Sequence, residues 1–72
     1  MNIHTIIQKY LEAANQRDAF RKSAMQANDY NKRYELRDIA NRGAAEICKL
    51  EKKAAAQGID RITLYKMVYN EQ

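Results

Sequence analysis

Two side chains in this sequence, His4 and Cys48, are soft enough to ligate a transition metal or to act as a nucleophile and its base. A four-coordinate zinc site needs more such ligands than these two. A Cys/His nucleophile pair also needs a third group to orient the base, and nothing in the sequence supplies it. The plain expectation is a capping or solvent-exposed His4, and a Cys48 buried as a small hydrophobe. Glu35, Asp38, Glu46 and Glu51 are each spaced as partners of nearby bases, and no carboxylate pair falls in an apolar stretch that would raise a pKa for acid–base work. No glycine-rich phosphate loop is present. The expectation is therefore a protein that is not an enzyme, with no cofactor, no metal and no small-molecule substrate.

The tyrosines at 10, 30, 34, 65 and 69 offer a different chemistry. At helical spacing they serve most simply as the rims of cores or interfaces. Lining a basic groove, they become platforms on which the bases of single-stranded nucleic acid stack. Tyr30 and Tyr34, beside Lys32, Arg33 and Arg37, are the best candidates for such an anion-facing patch.

The elements that must position these residues are helical. The chain has no proline, two glycines, and an abundance of Ala, Lys, Arg, Glu and Gln. The central stretch carries Leu36, Ala40, Gly43, Ile47, Leu50 and Ala54 at alternating spacings of four and three, with Ile39 beside them. On a helix this is one narrow apolar seam. Gly43 sits on the seam in phase, which predicts a place where another helix comes close.

Ahead of the seam, Asn2 or Thr5 can cap a first helix with Ile3, Ile6, Ile7, Tyr10, Leu11 and Ala14 on one face. That stripe then meets Arg17 and Arg21. Either the helix breaks near Asn15 to Asp18, or the two arginines lie on the seam and reach out along their aliphatic stems. The absence of glycine or proline favours one helix running to about Ala27. Asn28 to Asn31 supply a turn, and Asp29 is a natural N-cap for the second helix. On that helix Asp29/Arg33, Asp38/Arg42 and Glu46/Lys49 are acid-before-base pairs, each worth about 0.2–0.5 kcal/mol. Gly58 should end it, and Asp60 should cap a short third helix. There Ile62, Tyr65, Val68 and Tyr69 are expected on one side and Leu64 and Met67 on the other. A helix apolar over most of its circumference calls for contacts on two sides.

The predicted architecture is all-α, a long antiparallel helical hairpin with a short C-terminal third helix. It is one domain, 1–72, with helices at roughly 3–27, 30–57 and 60–70. At 72 residues a single core is only marginally stabilising. Oligomerisation or docking is therefore expected to complete the burial, through Leu36, Ile39, Gly43, Ile47, Leu50, Ile62, Tyr65, Val68 and Tyr69. The partner is expected to be a second copy in a homodimer, a protein target, or both. Thirteen Lys and Arg against nine Asp and Glu, a net charge of +4, favour anionic partners only weakly. A lone cysteine, no signal peptide and no long apolar run suggest a cytoplasmic protein without a membrane partner. These features together suggest a small, basic, non-catalytic binding protein, a regulator or inhibitor of the bacterial or phage type.

The segment LEKKAAAQGIDRITLYKMV, residues 50–68, resembles the helix-turn-helix of bacterial DNA-binding proteins. The matching residues are Ala54, Gly58, Ile59, and then Thr63, Leu64, Tyr65 and Lys66. The resemblance implies that Gly58 makes the turn and that Ile59, Leu64 and Met67 pack the two helices together. It further implies that Arg61, Ile62, Tyr65 and Lys66 face the major groove. The sequence departs from the family at Lys53 and Gln57, where apolar residues are usual. DNA-binding transcriptional regulation is the alternative function that follows from this resemblance.

Overall fold

Three helices follow one another along the chain: α1 (Ile3–Gln26), α2 (Tyr30–Ala55) and α3 (Arg61–Asn70). The computed structural model describes residues 1–70; Glu71 and Gln72, the end of the 1–72 span, lie outside the described residues. No strand occurs among the described residues. The helices α1 and α2 pack along each other as an antiparallel hairpin, and α3 folds back against both.

Each helix starts where a short polar side chain can take up a backbone donor left over at a helix end. The Asn2 side chain accepts from the Thr5 N–H at 3.0 Å, that of Asp29 from Asn31 at 3.1 Å, and that of Asp60 from Thr63 at 2.7 Å. The break between α1 and α2 falls at Ala27 to Asp29, so Tyr30 and Asn31 already belong to α2. Arg33 does not turn to Asp29. Its Nε donates to the Ala27 carbonyl at 2.8 Å, closing the end of α1 from the opposite helix. Of the other two pairs, Asp38–Arg42 closes at 2.9 Å, and Glu46 and Lys49 form no ion pair.

At the end of α2 the chain reverses through Gly58, whose φ is +82°. The Ile59 N–H reaches back to the Ala54 carbonyl at 3.0 Å and the Gly58 N–H to Ala55 at 2.9 Å. This is the Schellman arrangement, in which a left-handed residue lets the last helical carbonyls be satisfied. Ile59 then packs against the core, fixing where α3 begins.

The break considered near Asn15 to Asp18 does not occur; α1 is continuous. Arg17 stays on the seam, its side chain only 24% exposed, and its Nε donates to Asp18 at 3.1 Å. Gly43 of α2 makes room for it. A Cβ at position 43 would stand 3.1 Å from the Ala13 carbonyl oxygen and 3.2 Å from the Arg17 Cβ. The close approach expected at Gly43 is therefore made by α1 of the same chain.

The core is concentrated where all three helices meet. Ile6, Leu50, Leu64 and Val68 are the largest fully buried side chains, each contributing about 1.5–3 kcal/mol by its burial. Tyr10, Ala13, Ala14, Ile47 and Ala54 complete the cluster. At 1.5 Å per residue, α2 is roughly 39 Å long and α3 roughly 15 Å, so α3 covers less than half of the hairpin. Towards the turn the molecule is only two helices thick, and its buried side chains there are Ala24 and Ala40.

Candidate functional site

Placing the expected interface residues on this fold divides them in two. Gly43, Ile47, Leu50 and Val68 are buried within the chain, and Leu36 and Ile39 are half-buried. The seam predicted from residues 36–50 is covered by α1, which leaves Gly43 and Leu50 buried and Ile47 reached only where it lines the groove beside α3. Ile62, Tyr65 and Tyr69 remain on the outside, at 70%, 57% and 37% exposure.

The sides of α3 also need redrawing. With 100° between successive residues, Ile62, Tyr65 and Tyr69 fall within about 60° of one another, whereas Val68 lies about 120° from Ile62. Val68 therefore goes inward with Leu64, and Met67 is half-buried at the edge. The apolar side chains of the outward face are Ile62, Tyr65 and Tyr69, with the exposed Lys66 about 40° from Ile62 on the same side.

The tyrosines of this face are tied to the core below. The Tyr65 and Tyr69 rings are 4.6 Å apart, and Tyr69 meets Tyr10 edge-to-face at 6.4 Å and 86°. Burial pushes the Tyr10 hydroxyl above the usual phenol range, with the neighbouring Tyr69 and Glu51 acting in the same direction. Beside α3 runs a groove of about 460 Å³ whose walls include Ala44, Ile47 and Cys48 of α2 together with Ile62 and Tyr65. Cys48 is exposed there, contrary to the expectation of a buried small hydrophobe; it lies one position beyond the buried Ile47 and lines the groove that Tyr10 and Arg17 of α1 also line.

The groove has a polar rim of both signs. Arg61 pairs with Glu51 at 3.1 Å, and Arg17 of α1 also lines the groove. Arg61, Ile62, Tyr65 and Lys66, the residues that the helix-turn-helix resemblance aims at DNA, are all exposed. The Glu51 carboxylate offsets the charge of Arg61, one of the two bases among them. Asp60 titrates below the ordinary carboxylate range, because the backbone N–H and then the hydroxyl of Thr63 donate to it; that is the signature of a helix cap.

A second open groove, of about 750 Å³, lies at the turn end of the hairpin. It carries Arg21 of α1 and Arg33 and Arg37 of α2, with Tyr30 and Tyr34 beside them. The two tyrosine rings are 5.3 Å apart and more than half exposed. Of the residues named from spacing, Tyr30, Arg33, Tyr34 and Arg37 line this groove and Lys32 does not; Arg21 was not legible, because it arrives from the other helix.

His4 is exposed. Among the described residues no three His, Cys, Asp or Glu side chains stand close enough to hold a metal ion. Among the described residues no helix is long and apolar enough to cross a membrane. Comparison of the chain with protein families, with curated proteins and with solved structures finds no match to any of them.

Proposed function

We propose that this chain is a small, non-catalytic binding protein, a cytoplasmic regulator or inhibitor of the bacterial or phage type, that docks a helix of a protein partner against the outward face of α3. The observation that carries this reading is the contiguous exposure of Ile62, Tyr65 and Tyr69 beside the α2–α3 groove. Single exposed apolar side chains need no explanation, but three on one arc next to a concave surface do. An apolar, tyrosine-rich centre with a rim of both charges matches the anatomy of protein interfaces. Duplex DNA would instead favour unpaired positive charge, which the Glu51–Arg61 pair reduces.

The test compares the wild-type chain with Ile62→Asp and Tyr65→Ala, whose helicity is first checked by circular dichroism. A protein recovered by the wild type, and binding it in purified form, should lose about tenfold or more in affinity for each variant. Partners captured equally by all three chains would end this reading. So would duplex DNA binding that weakens steeply with salt and is abolished by Arg61→Ala, which would support the helix-turn-helix alternative. Sedimentation equilibrium across a concentration series separates a heterologous partner from a second copy, since only self-association through α3 would raise the mass and be reversed by Ile62→Asp.

A further inference from the structure

The groove at the turn end is independent of the α3 face and differs from it in charge. Its charged lining is cationic: three guanidinium groups, Arg21, Arg33 and Arg37, with no carboxylate among the residues that line it; Arg33 holds the Ala27 carbonyl through Nε and has its two terminal nitrogens left to offer. Buried Ala24 and Ala40 form its base, so its shape is set by backbone and methyl groups. On one wall Tyr30 and Tyr34 stand one helical turn apart with their rings 5.3 Å from each other at 60°. Each is more than 60% exposed, and Met25 beside them is 83% exposed.

From this juxtaposition we infer that the turn end is a binding site for single-stranded nucleic acid, with one or two bases stacked on the Tyr30–Tyr34 pair and phosphates held by Arg21, Arg33 and Arg37. Guanidinium groups match phosphate in a planar fork and also stack on rings. Tyrosine faces accept any base once it is unstacked. The groove is open to solvent, which suits a polymer better than a small ligand that must be enclosed. An acidic peptide could meet the arginines but would leave the ring pair without a use. A duplex would keep its bases stacked on each other and away from the tyrosines.

The experiment is a fluorescence anisotropy titration with a labelled twelve-nucleotide deoxythymidine strand, an abasic strand of equal length, the matching duplex and a polyglutamate peptide, each at several salt concentrations. With three phosphate contacts on a single strand, the slope of log affinity against log salt should lie near about −2. The thymidine strand should bind about tenfold or more tightly than the abasic one, and ahead of duplex and peptide. Tyr30→Ala and Tyr34→Ala should remove that preference, Tyr34→Phe should keep it, and Arg37→Gln should weaken thymidine and abasic strands alike. Equal binding of the abasic strand, the duplex or the peptide by the wild-type chain would overturn the assignment, as would a preference that survives both tyrosine-to-alanine variants. Ile62→Asp should leave every one of these titrations unchanged, so this site and the α3 face stand or fall separately.

Discussion

The two ends of the hairpin are built from the same pair of helices and reach different solutions. Where α3 joins them, Ile6, Leu50, Leu64 and Val68 are fully enclosed and Tyr10 seals the edge. Towards the turn, α1 and α2 meet through Ala24 and Ala40, while Met25, Tyr30 and Tyr34 are left in solvent. The boundary lies near Gly43, where backbone approaches backbone past Arg17. A chain of this size has apolar side chains enough for one well-filled core, and placing it at the three-helix end leaves the other end held by small side chains and two caps. Local stability should follow the same division.

Truncating one leucine at each end is the strongest way to break this comparison. Leu50→Ala should cost about 2–5 kcal/mol, read as a lowered urea midpoint. Leu36→Ala, at a half-buried site, should cost roughly 1 kcal/mol. Equal losses would mean that the two ends share one core.

The two glycines sharpen the comparison because they serve different needs. Gly58→Ala meets nothing within 4 Å but must hold a φ of +82°, so it should cost about 1–2 kcal/mol through backbone strain alone. Gly43→Ala gains about 1 kcal/mol of helix propensity and loses about 1–3 kcal/mol to crowding. Its added methyl meets a backbone oxygen and an Arg17 Cβ rather than a flexible tip, so a net loss of roughly 1 kcal/mol is expected by urea titration.

A smaller effect is expected at the three-helix end, at Tyr10. Burial raises the Tyr10 pKa in the folded chain, so above about pH 10 the unfolded state gives up a proton that the folded state retains. Its contribution to stability is therefore complete below that pH and declines as pH rises through the folded pKa. Thermal melts between pH 9 and 11 should show a steeper alkaline loss for the wild type than for Tyr10→Phe.

Features that depend on a few neighbouring residues were legible in the sequence. Asp29 and Asp60 cap, Gly58 reverses the chain and Asp38 pairs with Arg42 because each needs only its own turn of helix; the equally local Asp29/Arg33 and Glu46/Lys49 pairs do not form, Arg33 going instead to the Ala27 carbonyl. The hairpin with a short third helix follows from the same local signals together with the seam. Features set by how one helix is rotated against another were not legible. Periodicity marks Leu36 to Ala54 as a seam but does not say whose helix covers it, and α1 does. Val68 and Cys48 exchanged their expected inward and outward positions, since a rotation of α3 or α2 by part of a turn decides both. Of the turn-end groove, the α2 half could be read from spacing, whereas the contribution of Arg21 depends on where α1 passes.

Native-state amide hydrogen exchange, followed residue by residue, tests the division between the two ends most directly. The expected result is strong protection for Ile6 to Ala14 and Ile47 to Ala54, approaching the global unfolding free energy, with markedly weaker protection from Phe20 through Arg37. Protection that is uniform along both long helices, or greatest beside the turn, would contradict it.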